Sequence, residues 1–536
     1  MSRYAGPVAG RLHLLNRPVV ALLAVAAIAA PLRFLRLGSP PTRVFDEFYY
    51  SKSACILLGD SNKTCDVTSS DEKYWRQTKW DVGSWVHPPL GKWTIAMGER
   101  LFGADNPVGW RFSSAVAGTL LCVMVAGIAQ LLWGSPVWTF VAGLLASVES
   151  LDFMLSRLAL LDIFVAFWAV LGFLFLLLDR RWILRRTPAE EHLATQPLRD
   201  PTAPGVAAYG NADEGTARVV ERQAVSTEAS EEVAPAEPTP RRVPSPVWRP
   251  WRFAAGAAFS TKWSGAYAIA GAVLLTYAWE TTRRRRSDFA RGSAFRRAFM
   301  WETFGMLLAF AVVPIVVYVA VWIPWLNHFG WSLRDWWADQ AAMANYHFHL
   351  TWTSLDKKTG TYTPNHPYFS HAYTWLAMTR PVSMFVKDFG DVKRQILAVG
   401  NPAIFWASAW TLPYLAWKWS TGHRDWRAGF ILVAVLSQYL PWFVLSRPQF
   451  FFYMSPVSPF LALAAAYTAR DLSDARIVLR EPDGRSVEST LHPYRPLAWI
   501  YLAVAVGLFL WFLPVLTGRP VSLDHYRMIV WFRSWN

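Results

Sequence analysis

The chain has 536 residues, of which 53% are apolar, with 31 Trp, 33 Phe and a formal net charge of +15. Apolar stretches close to the ~20 residues needed to cross a bilayer recur along the sequence, which excludes an ordinary soluble domain. Lys and Arg fall mainly in short clusters between these stretches, as topology signals do. The composition therefore predicts a lipid bilayer as partner and excludes nucleic acid.

The first apolar stretch, near residues 19–37, follows three arginines and lacks a clear cleavage site. This predicts a retained helix with a cytoplasmic N-terminus. The predicted first outer loop (38–107) follows and contains the adjacent acids Asp46 and Glu47. Carboxylates at the edge of a bilayer lose solvation energy, so the pair indicates a proton acceptor, a metal ligand or an ion pathway.

Two stretches of this loop have amphipathic character, Phe48–Leu58 and His87–Phe102, and we expect both to lie as helices along the membrane interface. His87 stands before two prolines, where its imidazole either contacts an anion or simply begins a helix. Cys55 and Cys65 share the loop, as a disulfide or as two free thiols.

Three further spans bring the chain back to the cytoplasm at Asp179. The following segment, 179–250, has arginines at both ends, and its central part (187–245) is too poor in apolar residues to fold. We predict a cytoplasmic, largely disordered linker. The three spans are predicted near 108–133, 135–151 and 158–178.

The next apolar stretch, Phe253–Trp279, must cross the membrane an even number of times, because clustered arginines on both flanks indicate the cytoplasm. A pair of short helices or a re-entrant hairpin broken around Lys262–Gly265 satisfies this condition.

Five more spans complete a predicted total of about eleven and leave an outer segment (326–399) and an outer C-terminal tail. The sequence thus divides into 1–178, the linker 179–250, and 251–536. The five spans are predicted near 299–325, 400–417, 428–446, 450–467 and 497–516. Interfacial anchors are expected at Trp331, Trp336, Trp337, Trp352 and Trp375.

Several arginines lie at predicted outer ends of spans, where positive charge is normally sparse. Each needs an anionic partner, either a carboxylate such as Asp46, Glu47 or Asp162, or a phosphate that suits the guanidinium fork. These arginines are Arg43, Arg111, Arg157, Arg380 and Arg447.

Five motifs in chain order resemble the protein O-mannosyltransferase family, in particular its actinobacterial polyprenyl-phosphate-mannose branch. They cover most of the chain. The motifs are Phe45-Asp46-Glu47, His87-Pro88-Pro89-Leu90-Gly91-Lys92, Arg157 with Leu160-Leu161-Asp162, Lys262-Trp263-Ser264-Gly265, and Arg447-Pro448-Gln449-Phe450.

The resemblance implies an all-α polytopic membrane protein with the GT-C glycosyltransferase fold. It implies transfer of mannose, with inversion, from polyprenyl-phosphate-mannose to Ser or Thr of a protein at the outer face of the cell membrane. A protein translocon is a further candidate partner. By the same resemblance, Asp46 is the general base and Glu47 shapes the pocket.

The remaining site residues follow from the same resemblance and from the unpaired arginines. We assign the donor phosphate to His87, Arg111, Arg157 and Arg447. Supporting positions are Arg33, Arg43, Lys92, Asp162 and Lys262.

The chemistry agrees with these roles, because a carboxylate can take the hydroxyl proton while fixed cations stabilise the leaving phosphate. No clear metal-binding motif occurs, so we predict no metal and no other cofactor. The segment 326–399 is too short for the large insertion of the eukaryotic enzymes. Phe452-Tyr453-Met454 replaces the family's common aromatic-His-aromatic pattern, and no role is assigned to Tyr453.

Two alternatives remain open. Another GT-C enzyme would move a pentose or aminoarabinose from a lipid phosphate to a glycan or lipid. A secondary transporter would use Lys262 as a coupling residue, although the two halves of the chain show no convincing repeat.

Overall fold

The computed structural model shows a polytopic arrangement of apolar helices. The predicted linker core (187–245) and Trp352 lie outside the described residues. The structure describes residues 17–68, 86–186, 250–286, 291–349, 351, 353–355, 362–364, 366–421, 424–476, 478–480, 486–488 and 491–535.

Helices in the first part of the chain begin and end at local sequence signals. Pro107 and Pro136 begin two helices, at positions where the missing N–H costs no hydrogen bond. Gly134 ends the longer of the two with a left-handed φ of 67°. These helices are α1 (Pro18–Phe34), α2 (Glu47–Leu57), α3 (Leu90–Phe102), α4 (Pro107–Trp133), α5 (Pro136–Ser147), α6 (Ser150–Leu155) and α7 (Leu161–Arg186).

The second part of the chain continues as helices. A π-helical stretch at Leu308–Val312 joins α10 to α11. The helices are α8 (Pro250–Thr261), α9 (Ala266–Arg286), α10 (Arg291–Leu307), α11 (Val313–Phe329), α12 (Leu333–His349), α13 (Pro402–Phe405), α14 (Ser408–Ser420), α15 (Trp426–Tyr439), α16 (Ser458–Asp474), α17 (Arg495–Thr517) and α18 (Leu523–Ile529).

The chain reverses direction between α8 and α9. Lys262 is extended, and one 3-10 turn follows at Trp263–Gly265. A Cβ on Gly265 would lie 2.3 Å from the carbonyl carbon of Ala258, so this close approach of two backbone segments requires a glycine. The predicted break around Lys262–Gly265 is therefore confirmed.

Contacts with α7 fix the direction of the two short helices. Lys262, in the turn, forms an ion pair with Asp162 at the start of α7. Arg180, near the end of α7, lies 5.2 Å from the ring of Trp279 in α9. The chain thus travels along α7 in both directions, as the predicted pair of short helices requires. We call the end of the helices that carries residues 35–68 the loop side, and the end where α7 finishes the linker side.

Fewer helices qualify as membrane spans by length and apolar composition alone than the eleven crossings that the sequence predicts. In the described part of the chain, four helices qualify: Pro107–Trp133, Leu161–Arg185, Thr303–Asn327 and Arg495–Thr517. Pro18–Phe34 and Pro136–Ser147 are apolar but shorter. The chain is a multi-pass membrane protein, and the count of eleven stays a prediction.

Strands occur in the predicted outer segment, so the mainly helical chain that was expected also contains short stretches of β-structure. The antiparallel hairpin β3 (Val382–Asp388) and β4 (Val392–Ala398) pairs with β7 (Val521–Ser522) after the last long helix. Val and Phe residues in β3 and Val and Ile residues in β4 favour extended strands, and Gly390, with a φ of 83°, lies in the turn between them. Shorter pairs are β1 (Thr353–Leu355) with β2 (Tyr362–Pro364) and β5 (Val478–Arg480) with β6 (Ser486–Glu488).

Both helices predicted in the first loop are present, but only α3 has one buried face and one exposed face. On α3, Ile95 and Gly98 are buried while Met97 and Leu101 are exposed, as at an interface. By contrast, α2 is buried on almost every side from Tyr50 onward, because other parts of the protein cover it. Cys55 and Cys65 form a disulfide at the end of α2.

Candidate active site

Asp46 lies at the N-terminus of α2, where a tight turn places it. Phe45 before it has a left-handed φ of 51°, and the Asp46 side chain makes no capping bond to the helix. The Tyr50 hydroxyl, one turn later, donates to Asp46 Oδ2 at 3.5 Å. The carboxylate therefore contacts a side chain of α2 but leaves the backbone N–H groups of the first turn uncapped.

A buried ion pair lies beside this carboxylate. Lys262 Nζ, in the turn between α8 and α9, donates to Asp162 Oδ1 at 2.8 Å. Burial raises the pKa of Asp46 to about 6, while the charge of Lys262 opposes the rise and that of Asp162 adds to it. A carboxyl group with this pKa is ionised at neutral pH and is a stronger base than an ordinary aspartate.

Tyr453 lies between two cations of the same site. Lys262 Nζ is 4.2 Å from the centre of its ring, and Arg447 Nη2 donates to its hydroxyl at 3.4 Å. Its neighbour Phe452 packs edge-to-face on Phe45, with ring centres 5.9 Å apart. The Tyr453 motif thus connects the basic residues to the turn that carries Asp46.

Two histidines complete the basic side of the site. His347 Nε2 donates to the carbonyl of Val86 at 2.8 Å, so His347 Nδ1 is the acceptor for the hydrogen bond from Arg447 Nη1. The ring of His347 stacks on that of His87, with centres 5.4 Å apart. Burial and nearby cations lower the pKa of both, to about 4 for His347, so both imidazoles are neutral at pH 7.

Sequence reasoning missed His347 and assigned no role to Tyr50 or Tyr453. His347 lies in the last turn of α12, within a run of His, Tyr and Phe residues at 346–349. That concentration of imidazole and aromatic rings in the second outer segment was the available signal. The sequence around Asp46 gave no comparable indication that Tyr50 contacts the carboxylate.

Glu47 faces away from Asp46, into a closed network with Arg111. Both side chains are fully buried, and Arg111 donates to Glu47 through Nε and Nη2, each at 2.7 Å. Glu47 also accepts from the backbone N–H groups of Val44 and Ala159. These bonds fix both ends of the turn that carries Asp46.

The predicted role of Arg111 at the donor phosphate does not fit this geometry. Its other three N–H groups donate to the carbonyls of Leu37, Pro40 and Thr42 at 2.8–3.2 Å. A guanidinium has five N–H donors, and all five are used inside the protein. Arg111 therefore has no donor left for a phosphate.

Arg157 and Arg33 also lie apart from Asp46. Arg157 donates to the carbonyls of Leu32, Arg33 and Arg36, and so caps the C-terminal end of α1. Arg33 is fully buried and contacts the carbonyl of Ala29, while its Nε and Nη2 have no partner in the described part of the chain. Neither arginine is grouped with Lys262 and Arg447.

The remaining supporting residues organise the first loop. Arg43 donates to Ser51, to Asp66 and to the carbonyl of Ala104. Lys92 Nζ donates to the carbonyl of His87 at 3.1 Å. Burial lowers the pKa of Lys92 to about 7, with the charge of Asp339 opposing the shift.

The structure thus brings together five of the predicted site residues, and Lys92 contacts this group through the carbonyl of His87. Among the residues it describes, no three His, Cys, Asp or Glu side chains gather in a metal-binding arrangement. The five that meet are Asp46, His87, Asp162, Lys262 and Arg447.

The fold is similar to a known membrane enzyme. The Saccharomyces cerevisiae protein O-mannosyltransferase Pmt1-Pmt2 complex bound to the sugar donor matches with a TM-score of 0.66. The match covers 99% of this chain and 96% of that chain at 12% sequence identity, which shows the fold alone. This fold defines the chain as a polytopic membrane protein.

Sequence comparisons give the family. Residues 23–188 match the family model described as dolichyl-phosphate-mannose-protein mannosyltransferase, and residues 332–535 match the C-terminal four TMM region of protein-O-mannosyltransferase. The polyprenol-phosphate-mannose-protein mannosyltransferase of Mycolicibacterium smegmatis strain MKD8 is 30% identical, over 95% of this chain and 92% of that one. Its namesake in Mycobacterium tuberculosis H37Rv is 28% identical over 95% and 90%. The chain belongs to the protein O-mannosyltransferase family.

Proposed function

We propose that this protein transfers mannose from polyprenyl-phosphate-mannose to Ser or Thr hydroxyls of secreted or membrane proteins. The observation that carries the proposal is the pairing of a partly exposed Asp46 with cationic groups at Lys262 and Arg447 in one site. Base and anion-stabilising groups are the two components that this transfer needs. The names of the relatives support the choice of donor and acceptor.

Asp46 acts as the general base in a single displacement. A Ser or Thr hydroxyl is a weak nucleophile, so its proton passes to an Asp46 oxygen as the hydroxyl oxygen attacks the anomeric carbon. The bond from that carbon to the phosphate oxygen breaks on the opposite face, and the configuration inverts. Tyr50, which donates to Asp46 Oδ2, orients the carboxylate.

Arg447 and Lys262 stabilise the charge that develops on the leaving phosphate. Arg447 keeps Nε buried and without a partner among the described residues, so one guanidinium N–H is available. His87 has its Nδ1 likewise unpartnered, and as a neutral imidazole it can donate a hydrogen bond without adding charge. This assignment keeps two of the four predicted phosphate ligands and transfers Arg111 and Arg157 to structural roles.

Glu47 is a positioning residue in this proposal. Its bonds to Arg111, Val44 and Ala159 hold the turn before α2, and the turn holds Asp46. No Glu47 oxygen is exposed to a substrate, because its side chain is fully buried. Of the two neighbouring acids, Asp46 is therefore the general base and Glu47 positions it.

We further propose that the loop side faces outward across the cell membrane. The cytoplasmic N-terminus, eleven crossings and cytoplasmic linker (179–250) follow from arginine clusters on the linker side. The site at Asp46 then meets a lipid-linked donor in the outer leaflet.

The experiment compares acceptors with the unaltered protein. Membranes containing the chain receive polyprenyl-phosphate-[³H]mannose and either a Thr-rich peptide or the same peptide with Val in place of Thr. We expect label in the Thr peptide alone. Label found only in lipid or glycan would reject the protein acceptor and favour the other GT-C reaction.

A further inference from the structure

A small cavity on the loop side lies between the ends of α1 and α17. Its volume is about 80 Å³, several times the space of one water molecule. Leu32, Leu35 and Leu513 form an apolar wall, and Leu35 is 67% exposed beside it. The cavity therefore opens where two membrane helices end, at the level expected for lipid headgroups.

Four guanidinium groups line this cavity without an acidic residue among its described lining. Arg157 is buried and donates to backbone carbonyls only. Arg394 donates to the Gly518 carbonyl at 2.8 Å and to Ser39 Oγ at 3.4 Å. In the part of the chain that the structure describes, no carboxylate is paired with the other two. The four residues are Arg36, Arg157, Arg394 and Arg519.

The concentration of like charge has a measurable consequence within the protein. Burial and, to a smaller extent, surrounding arginines that include Arg519 and Arg36 together lower the pKa of Arg157 to about 10. An anion in the cavity would reverse this repulsion. Arg36 also has a left-handed φ of 58°, which is uncommon outside glycine.

We propose that this cavity binds a phosphate group, carried either by an anionic lipid headgroup or by free phosphate, at a site separate from the donor. Arginine forks match phosphate oxygens, and the adjacent leucines suit an acyl chain. The separation rests on geometry: Arg157 contacts the carbonyls at the end of α1 and Arg394 the carbonyl of Gly518 after α17, whereas Lys262 pairs with Asp162 at the start of α7.

The test uses the purified full chain in neutral detergent, titrated with phosphatidylglycerol, with phosphatidylcholine and with inorganic phosphate. Native mass spectrometry counts the lipid molecules bound to the protein. Binding of inorganic phosphate is measured by how much of that bound lipid it displaces. The double variant Arg36→Gln/Arg519→Gln removes two exposed cations and keeps the buried Arg157. Arg527→Gln is the control, since it removes an exposed charge from α18 outside the cavity.

We expect the double variant to bind phosphatidylglycerol at least about tenfold more weakly, because each charged hydrogen bond contributes that order of affinity. Arg527→Gln should bind as the parent does, and the KM for the donor should stay unchanged in both. If inorganic phosphate displaces the lipid from the parent and does so more weakly in the double variant, the site is supported. The bound phosphate group then comes from the soluble ion.

Three results would overturn the proposal. Equal lipid binding by parent and double variant would show that the cavity holds no anion. An equal loss of phosphatidylglycerol binding in the control Arg527→Gln and in the double variant would show that any lost surface charge weakens binding. A rise in donor KM that parallels the loss of lipid would make the cavity part of the donor site.

Discussion

At the scale of single residues, the acids at 46 and 47 have opposite surroundings. Asp46 is partly exposed beside Lys262, and burial raises its pKa to about 6. A base must be deprotonated to act, so kcat should fall as pH drops below about 6, approaching tenfold per unit. Initial rates from about pH 8 to about pH 5 measure this. A rate that stays level through that range would contradict the assignment of Asp46.

Glu47 and Arg111 give a different prediction, because they are buried together. Arg111→Gln leaves the Glu47 carboxylate without its counter-ion and should lower the free energy of unfolding by about 3–5 kcal/mol. Thermal unfolding in detergent measures the loss. Arg527→Gln, at an exposed pair with Asp524, should change stability by less than about 0.5 kcal/mol.

The outcome separates two roles for Arg111. A variant as stable as the Arg527 control, but with a raised KM for the donor, would return Arg111 to the donor phosphate. Loss of stability with little change in KM for the remaining folded enzyme supports the structural role.

The sequence could predict that this acidic pair matters, but not how its members differ. Neighbours in sequence point to opposite sides of a turn, and their partners at Arg111, Ala159 and Lys262 are distant along the chain. Arg111 and Arg447 look alike as arginines at span ends. Only three-dimensional hydrogen bonding shows that all five N–H groups of Arg111 have acceptors, whereas Arg447 Nε has none among the residues that the structure describes.

At the scale of elements, the reversal between α8 and α9 depends on Gly265. A methyl group there would meet the Ala258 backbone at 2.3 Å, so Gly265→Ala should destabilise the protein by about 1–3 kcal/mol. It should also reduce transfer, because Lys262 lies in the same turn. Gly507→Ala, in α17 with open space around it, is the matched control. Thermal midpoints and rates for both variants check this, and a parent-like Gly265→Ala would contradict it.

Most long helices were predictable from the sequence, because long apolar runs end at Pro, Gly or charged residues, but their ends were less predictable. The span predicted near 450–467, for example, is observed at Ser458–Asp474. The break at Lys262–Gly265 was also predictable, since flanking arginines demanded an even number of crossings. The β3–β4 hairpin was missed because a short strand pair in a loop carries a much weaker pattern than a membrane helix. The burial of α2 was missed because the residues that cover it are distant in sequence.

At the scale of the whole molecule, positive charge on the linker side predicts the orientation. An epitope tag inserted within the linker, after residue 215, should bind antibody only after cells are permeabilised. The same tag fused after residue 536 should bind on intact cells. Detection of both tags on the same side of the membrane would contradict the predicted odd number of crossings between the linker and the C-terminal tail.

The family followed from ordered motifs spread over the whole chain, and the sequence comparisons confirm it. Motifs separated by hundreds of residues, such as those at Asp46 and Arg447, cannot be placed at a site by spacing alone. Their meeting depends on Lys262 and Tyr453, which connect the two motifs in space.

Transfer of radiolabelled mannose to the Thr peptide by Asp46→Asn, at matched membrane abundance, tests whether Asp46 is the general base. Asp524→Asn, an exposed acid on α18, serves as the control. The assignment of Asp46 as the base predicts that Asp46→Asn loses at least about 10²-fold in rate, as removal of a general base does, while Asp524→Asn keeps the parent rate. Parent-like transfer by a correctly folded Asp46→Asn protein would contradict it.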